Sequence, residues 1–428
     1  MKITIHRGVG QIGGNIVEVA ANDQKTKIIL DCGRNLPPLD DPNAPEDNIE
    51  IKGLTSGISE FDAVFVTHHH ADHCGLLGRV NNDIPIYMSG VTNAVLGVVA
   101  DFIDARPLRG VETVEQGDEI DLRGMRILPI KVNHSAKGAL MYLVEADGQR
   151  LLYTGDFSDV DEEDFIALGS VSAMLCEGTN VEVLNDDTED EVLTKTEKIM
   201  NETNKTAGEV FVLCSTTNIN RIEAIDLACK NSKRVMAIDP FLNAILQKVG
   251  YEMTCDMRQF LPRGIKRGDK PRMDKYVTYK HIVPARELAA TKNLTYMVRQ
   301  SMGDFLIRLG GEKSGLRFEG KTPSEFQDFR REVTERKPFS ESKLVYSIWR
   351  GYEKTVYTGN FLKLCRDLGL GVEYLHVSGH VYRKMLGETI NRISPQTLIP
   401  IHTESADTFT KLYRNVRLLD NGETWSIE

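Results

Sequence analysis

The chain has 428 residues, of which 41% are hydrophobic and 27% are charged. This length exceeds that of a usual single domain, so we expect at least two domains. The formal net charge of −10 excludes a surface covered with basic residues for nonspecific nucleic-acid binding, although it allows a local basic channel. The sequence predicts neither a signal peptide nor a run of about 18 apolar residues that could cross a membrane. Seven scattered cysteines without a Cys-x-x-Cys pair are typical of reduced thiols, so we expect a cytoplasmic protein.

The first 160 residues are predicted to form short strands with helical segments between them. Apolar or alternating runs such as KITIHRG, NIVEVAA, KIILDCG and RLLYTGD are bounded by glycine, asparagine or charged residues. The run AVFVTH, from Ala63 to His68, is almost continuously apolar, which is typical of a strand buried on both faces. Several strands end where histidines and aspartates begin. Since ligands of open α/β sheets gather at strand ends, this pattern predicts a binding site there.

The middle of the chain reads as a separate α/β unit. The acidic run 186–191 precedes an apolar-periodic segment and is interpreted as a solvated helix start. A strand (GEVFVLCSTTN), a helix (INRIEAIDLACKN) and a second strand (RVMAID) follow, which predicts a parallel sheet of its own. The tail then returns to strands that end in histidines. We therefore predict a first domain over 1–195 and 361–428, interrupted by an insert over 196–360.

Histidines and aspartates are concentrated immediately after the run AVFVT. Here His68, His70, Asp72 and His73 form the pattern His-x-His-x-Asp-His, in a chain with only ten histidines. A lone histidine would more often be structural, and a cluster could be a surface tract, but this spacing suits a loop that aims alternate side chains at one point. Imidazole and carboxylate ligands fit zinc best, with manganese or iron less well matched.

Three further ligand candidates follow strands elsewhere in the chain: His134 in KVNHS, Asp156 in LLYTGD and His402 in LIPIHTE. Each candidate alone would be weak evidence for a metal site. Together with the cluster they supply five histidines and two aspartates, enough for two metal ions with an open position. Two adjacent metals can lower the pKa of a shared water and bind a phosphate.

The order of these motifs resembles the metallo-β-lactamase superfamily. The resemblance implies an αββα sandwich in which His68, His70 and His134 hold one metal. Asp72, His73 and His402 would hold the other, and Asp156 would bridge the two. Asp31 in ILDCG resembles the first motif of the superfamily and would orient the metal loop. His69 lies between ligands and is expected to point elsewhere.

Three later motifs resemble those of the β-CASP nucleases, in which an α/β insert interrupts the catalytic domain. Glu177 in LCEGTN, His380 in HVSGH and His402 in PIHTE match motifs A, B and C. The 22-position spacing of the last two histidines and the opening GVGQIGGN look most like the ribonuclease J family. The resemblance implies that Asp72, Glu177 and His380 are catalytic, and that a histidine at motif C accompanies RNA rather than DNA substrates.

The resemblance also implies a pocket for a terminal phosphate. Its candidates are His376, Ser378, Thr217 and Asn218, although His376 could instead be a core histidine. Thr217 and Asn218 stand where the family usually has Ser-Asn, and Glu177 stands where bacterial relatives commonly have aspartate. The chain ends 26 residues after His402, so the C-terminal domain of many bacterial members is not expected. A homodimer therefore stays an open alternative.

The expected function is that of a two-metal ribonuclease, acting as a 5′-to-3′ exonuclease, an endonuclease or both, with two Zn²⁺ ions, or Mn²⁺ in their place. RNA is the expected partner, and no membrane is involved. The basic stretch 258–280, with interleaved aromatic residues, could be an RNA path or a solvated loop. One alternative function is small-molecule ester or thioester hydrolysis on the same metal core, which would not need Glu177, His380 or the insert. Another is non-catalytic RNA binding.

Overall fold

Three β-sheets organise the fold in the computed structural model, which describes residues 1–36, 49–161, 163, 168–184, 188–262, 274–277, 282–320 and 322–427. The first sheet has seven strands in the order β19-β1-β2-β3-β4-β5-β6. Its first four strands pair antiparallel, and the pairs from β3 to β6 are parallel. Its strands are β1 (Lys2–Arg7), β2 (Ile16–Ala20), β3 (Lys27–Leu30), β4 (Ala63–Phe65), β5 (Ile86–Met88), β6 (Val111–Thr113) and β19 (Thr424–Ser426).

The second sheet has six strands in the order β18-β11-β10-β9-β8-β7. Strands β18, β11 and β10 are mutually parallel, whereas β9 and β8 join by antiparallel pairing, so β8 points the same way as β10. Its strands are β7 (Ile120–Leu122), β8 (Met125–Lys131), β9 (Leu140–Ala146), β10 (Gln149–Tyr153), β11 (Ala173–Glu177) and β18 (Thr397–Ile401).

These two sheets pack face to face around one apolar core. Side chains such as Ile3, Val17 and Phe65 of the first sheet meet Tyr142 and Leu175 of the second in a single buried cluster. The outer face of the first sheet is covered by the segment that follows β4, and the outer face of the second by C-terminal helices. The result is the predicted αββα sandwich, in which two sheets bury their apolar faces against each other and helices cover the rest.

The third sheet belongs to the insert and is parallel throughout, in the order β14-β13-β15-β12-β16-β17. Its strands are β12 (Val210–Leu213), β13 (Val235–Ile238), β14 (Met257–Gln259), β15 (Leu294–Val298), β16 (Lys343–Tyr346) and β17 (Gly371–Tyr374). Since β17 pairs with β16, the sheet of the insert continues to Tyr374, beyond the boundary predicted at residue 360. We therefore propose that the insert ends after Tyr374.

Eleven α-helices lie in the described residues. They are α1 (Ala71–Cys74), α2 (Gly90–Ile103), α3 (Glu189–Lys205), α4 (Ile219–Asn231), α5 (Pro240–Lys248), α6 (Ala285–Ala290), α7 (Gly303–Lys313), α8 (Pro323–Arg336), α9 (Val356–Asp367), α10 (Arg383–Ile393) and α11 (Ala406–Leu412). Short 3₁₀ helices cover Leu77–Arg79, Gln300–Met302 and Arg350–Lys354. None of the helices in the described part of the chain combines the length and the apolar character of a membrane span.

The insert docks on the sandwich through a small apolar contact. Val95 and Val98 of α2 lie in one buried cluster with Ile219 of α4 and with Ala244 and Ile245 of α5. Both insert helices begin at capping residues. The Asn218 side chain caps α4 by accepting a hydrogen bond from the Arg221 N–H, and α5 begins with a proline that follows its aspartate cap. This docking brings the amino-terminal end of α4 towards the edge of the sandwich that carries the histidines.

Candidate metal centre

The predicted ligands lie at the carboxyl ends of strands that point towards one edge of the sandwich. The loop from His68 to His73 follows β4, His134 follows β8, Asp156 follows β10 and His402 follows β18. Because β8, β10 and β18 run in the same direction, their ends meet at one edge of the second sheet. The strand-end pattern of the sequence therefore corresponds to one site in space.

Asp31 orders the loop that carries the cluster. Its side chain is fully buried and accepts hydrogen bonds from the Thr67 N–H (2.7 Å), the His73 Nδ1–H (2.7 Å) and the Tyr153 hydroxyl (2.8 Å). Since Nδ1 of His73 is engaged by Asp31, the opposite ring nitrogen of His73 is directed to the site. Carboxylates commonly fix metal-binding histidines in this way.

Three histidines form the first ligand group. His68, His70 and His134 each offer a ring nitrogen, and these atoms lie within 4.8 Å of one another. The ring of His134 is held by a hydrogen bond from Nδ1 to the Gly379 carbonyl (2.6 Å), and its Nε2 lies 3.3 Å from Nδ1 of His70. Burial lowers the pKa of His68 and His134 well below the usual value and that of His70 to about 4. All three are therefore neutral at pH 7, as a metal ligand must be.

Two carboxylates and two histidines form the second group. Donor atoms of Asp72, His73, Asp156 and His402 lie within 4.8 Å of one another, and all four side chains are buried. His402 places Nε2 3.3 Å from Oδ2 of Asp72 while Thr179 Oγ1 contacts its Nδ1 at 2.9 Å. Burial would raise the pKa of Asp72, but its hydrogen bond to His402 and the nearby His73 hold this pKa well below the usual range.

Asp156 lies between the two groups. Its Oδ2 is 3.1 Å from Nε2 of His73, 3.6 Å from Nε2 of His402, 3.8 Å from Nε2 of His68 and 4.0 Å from Nε2 of His134. Donor atoms around a tetrahedral zinc ion are about 3.3 Å apart, given bond lengths of about 2.0–2.1 Å to nitrogen. The spacing around Asp156 therefore fits a carboxylate shared by two cations.

Several buried nitrogen and oxygen atoms that could bind a metal have no hydrogen-bond partner among the described residues. They are Nε2 of His68, Nε2 of His73 and both carboxylate oxygens of Asp156. Buried polar atoms without partners are costly, and they are rare unless an ion or water satisfies them. Together with the mixed imidazole and carboxylate ligands, these atoms fit divalent metal binding.

Glu177 and His380 form a pair beside the second group. Glu177 ends β11, is fully buried and accepts hydrogen bonds from the Phe157 N–H (3.0 Å) and from Nδ1 of His380 (3.1 Å). Nδ1 of His380 also lies 3.6 Å from Asp156 Oδ2. Burial lowers the pKa of His380, but Glu177 and then Asp156 outweigh it and raise this pKa to about 9. A histidine held by one ring nitrogen can present the other to a substrate.

The amino-terminal glycine loop packs against the loop from His68 to His73. Gly13 adopts a φ of +79°, and a Cβ atom there would lie 2.6 Å from Oδ2 of Asp72. A Cβ at Gly33 would collide with the Asp72 carbonyl oxygen. The backbone N–H of Asn15 donates to this same oxygen (3.0 Å). Glycine is therefore required at both positions because the loops approach closely around Asp72.

Comparison with known proteins agrees with this geometry. Residues 26–209 match the model of the family described as "Beta-lactamase superfamily domain". The chain is 22% identical over 422 residues to ribonuclease J of Sinorhizobium meliloti, covering 93% of this chain and 68% of that protein. Over these residues the chain resembles the metallo-β-lactamase superfamily. Its similarity to ribonuclease J confirms the resemblance stated from the motifs.

Two further likenesses concern the β-CASP group and the fold. The chain is 26% identical over 217 residues to cleavage and polyadenylation specificity factor 73 of Drosophila melanogaster, covering 44% of this chain and 30% of that protein. A crystal structure of a protein of unknown function from Enterococcus faecalis superposes with a TM-score of 0.71 at 18% identity, covering 99% of both chains. This second likeness shows the fold alone, over nearly the whole of both chains.

The residues predicted for a phosphate pocket lie on two loops. Ser378 Oγ accepts hydrogen bonds from Asn180 Nδ2 (3.0 Å) and from the His380 N–H (3.2 Å), whereas the His376 side chain is exposed. Thr217 Oγ1 lies 3.1 Å from Ser215 Oγ, and Asn218 uses its side-chain oxygen to cap α4. Both loops leave the carboxyl edge of the parallel third sheet, after β17 and β12.

Several side chains that hold the loops of this site could not be identified from the sequence. Asn180 donates to the His380 carbonyl (3.1 Å) as well as to Ser378, and Asn220 of α4 donates to the His134 carbonyl (2.9 Å). Arg221, fully buried, forms a two-point ion pair with Glu189 and donates to the Val377 carbonyl (3.2 Å). Asn180 stands in the LCEGTN motif itself, so it could have been suspected. Asn220 and Arg221 gave no such signal.

Two other sequence features are His69 and the basic stretch 258–280. The ring of His69 is buried, and burial with the neighbouring His70 lowers its pKa to about 3. His69 belongs to none of the possible ligand groups found in the described residues. Most of the basic stretch 258–280, including Lys266, lies outside the described residues. The two alternatives for this stretch, an RNA path or a solvated loop, both stay predictions from the sequence.

Proposed function

We propose that this chain is a two-metal ribonuclease that hydrolyses phosphodiester bonds of RNA. The observation that carries the proposal is the position of Asp156 between two complete ligand groups, with the Glu177–His380 pair beside it. The similarity to ribonuclease J supports RNA as the substrate. A small-molecule hydrolase would need the two ligand groups but has no evident use for the Glu177–His380 pair.

We propose the following division of the ligands. His68, His70 and His134 would hold one divalent cation, and Asp72, His73 and His402 the other, with Asp156 between them. Zinc suits this mixture of imidazole and carboxylate better than manganese does. When bound, such a pair of cations supplies an activated water and neutralises charge on the phosphate.

The protein would add three things of its own. Asp31 holds His73 in the tautomer that presents Nε2 to the site. Glu177 holds Nδ1 of His380, so that its other ring nitrogen can give a proton to the leaving oxygen. Asn180 fixes both Ser378 and the His380 carbonyl, so a phosphate contacted by Ser378 would lie at a set position relative to His380.

The same cleft could serve two modes of cleavage. RNA threaded through it would be cut internally, whereas RNA held at a 5′-monophosphate by Ser378, His376, Thr217 and Asn218 would be trimmed stepwise. A 5′-triphosphate is bulkier and more charged, so it would fit such a pocket poorly. A cytoplasmic location and a homodimer stay predictions from the sequence.

The test compares two substrates on one preparation. Zinc-reconstituted protein is incubated with end-labelled RNA and, separately, with a chromogenic thioester. We expect RNA fragments and no thioester hydrolysis, and we expect Asp72→Ala to abolish cleavage. His6→Ala is the matched control, because His6 pairs with Glu18 in the first sheet and belongs to neither ligand group. Thioester hydrolysis without RNA cleavage would overturn the proposal.

A further inference from the structure

The exposed aromatic side chains of the described residues all lie in one short part of the insert. They are Trp349, Tyr352, Tyr357 and Tyr374, with exposed fractions of 52%, 41%, 59% and 39%. Aromatic residues elsewhere in the described chain are buried or half-buried. Scattered exposed apolar residues are ordinary, but such a concentration marks a surface that meets a ligand or a partner.

Two of these rings are held in place. The indole of Trp349 lies over Gly351, where a Cβ atom would collide with its six-membered ring. The ring of Tyr352 meets the indole edge-on, with 5.4 Å between centroids, and the Tyr346 hydroxyl donates to the Trp349 carbonyl (3.2 Å). Because glycine supports one face of the indole and Tyr352 contacts it from the side, the pair is preorganised while half of each ring is open to solvent.

The pair lies on the edge of the third sheet that also carries the proposed phosphate pocket. The 3₁₀ helix Arg350–Lys354 follows β16, and His376 follows the neighbouring parallel strand β17. Arg221 joins the two loops, since it hydrogen-bonds Ser347 after β16 and the Val377 carbonyl after β17.

Cationic groups accompany the rings. The guanidinium of Arg350 lies 4.5 Å from the centroid of Tyr374 and 3.5 Å from Glu353, and the side chains of Arg350 and Lys354 are exposed. In a chain of net charge −10, this mixture of rings and cations is a local feature. Surfaces of this kind bind single-stranded nucleic acid, with bases on the rings and phosphates on the cations. A protein partner would not require the rings to share a sheet edge with the loop that carries His376 and Ser378.

We propose that Trp349 and Tyr352 form a stacking platform for bases of an RNA strand that enters the metal centre. The inference rests on the proposed function, which it extends by naming what holds the bases beside the cleavage site. Stacking on aromatic rings tolerates any base, so the platform would increase RNA affinity without selecting a sequence.

The chain's two tryptophans permit a direct test. In Trp425→Phe protein, Trp349 is the one remaining indole, and a base stacked on it quenches its fluorescence. Metal-reconstituted protein is titrated with a phosphorothioate RNA oligomer that resists hydrolysis and with a matched abasic oligomer. We expect quenching by the first and little quenching by the second. Equal effects of both oligomers, or no effect of either, would overturn the platform.

Three substitutions sharpen the test through RNA affinity. Trp349→Ala should weaken binding of the base-containing oligomer about 5- to 150-fold, the usual range for one stacked base, and leave the abasic oligomer unaffected. Gly351→Ala keeps every aromatic and cationic group but displaces the indole, so it should weaken binding in the same direction. Tyr357→Ala, a matched exposed tyrosine on α9, should change affinity less than twofold. Unchanged affinity in both Trp349→Ala and Gly351→Ala would refute the proposal.

The platform and the proposed function can fail separately. Protein that cleaves RNA with no response of Trp349 would retain the ribonuclease and exclude the platform. Protein that binds the base-containing oligomer through Trp349 but cleaves no RNA would retain the platform and exclude the nuclease activity.

Discussion

Asp31→Asn should separate the ordering of the metal loop from the ligands themselves. Oδ1 of Asp31 accepts from the Thr67 N–H, and Oδ2 accepts from His73 and Tyr153. An asparagine has one accepting oxygen in place of two. If this oxygen faces Thr67, the amide N–H₂ meets the donors of His73 and Tyr153. If it faces those two, the amide meets the Thr67 N–H.

The cost can be estimated from the hydrogen bonds that the substitution removes. Hydrogen bonds to a charged group contribute about 1.5–3 kcal/mol each, so removal of two gives about 3–6 kcal/mol in the free energy of unfolding. Asp31 is fully buried, so water cannot replace the missing partners. Removal of a partner that orients a metal-binding histidine typically lowers metal affinity about 10- to 100-fold. We expect the metal affinity of Asp31→Asn to fall in that range.

Two assays measure the effects, and one variant controls for them. Urea unfolding of metal-free protein gives the stability, and competition with a chromophoric chelator gives the zinc affinity. Tyr153→Phe removes one donor from the same carboxylate but keeps its charge and its bond to His73. It should therefore cost about 1.5–3 kcal/mol of stability and change zinc affinity only slightly. Wild-type zinc affinity in Asp31→Asn would refute the assigned role of Asp31.

Three other predictions follow from the site and the sequence. In metal-free protein, Glu177→Gln should lower the free energy of unfolding more at pH 6 than at pH 10. Glu177 raises the pKa of His380, so the charged pair stabilises the fold fully below pH 6.5, and this contribution disappears as pH rises through about 9. Equal decreases in urea titrations at the two pH values would contradict this. Ser378→Ala should abolish any preference for 5′-monophosphorylated over 5′-triphosphorylated end-labelled RNA in mononucleotide release, and a retained preference would place the pocket elsewhere. In the basic stretch, a fourfold alanine variant should lower the slope of log affinity against log salt by about 0.7 for each phosphate that no longer meets a cation, whereas an unchanged slope would favour a solvated loop. The four positions are Lys266, Arg267, Lys270 and Arg272.

The proposed metal ligands could be predicted because they follow apolar strands. A run such as AVFVT identifies a buried strand that ends at His68. Parallel strands of one sheet deliver their carboxyl ends to one edge, so Asp156 and His402, which follow β10 and β18, could be expected to meet. The spacing within the histidine cluster added the resemblance to a known superfamily. These signals are local in sequence, and the fold class followed from them.

Contacts between distant segments were not predictable in the same way. Asn220 reaches the His134 carbonyl only because α4 docks on the sandwich, and neither residue has a neighbour in sequence that indicates this. The role of Arg221 depends on three loops that meet in space. The proposed extension of the insert to Tyr374 depends on the pairing of β17 with β16. From the sequence alone, this four-residue strand could have joined the sheet of the insert or a sheet of the sandwich.

The proposed aromatic platform has a counterpart in the sequence. The segment WRGYEK interleaves rings and cations just as the basic stretch 258–280 does, but over fewer residues. Composition favoured the longer stretch because it holds more charge. Exposure of Trp349 and its position at the sheet edge could be read only from the structure.

The most direct test of the central claim is RNA cleavage as a function of metal stoichiometry. Metal-free protein receives zero, one or two equivalents of zinc per chain, and cleavage of end-labelled RNA is followed at each step. A two-metal ribonuclease should be inactive without metal and reach full activity only with the second equivalent. Full activity at one equivalent, activity without metal, or no RNA cleavage at two equivalents would contradict the account.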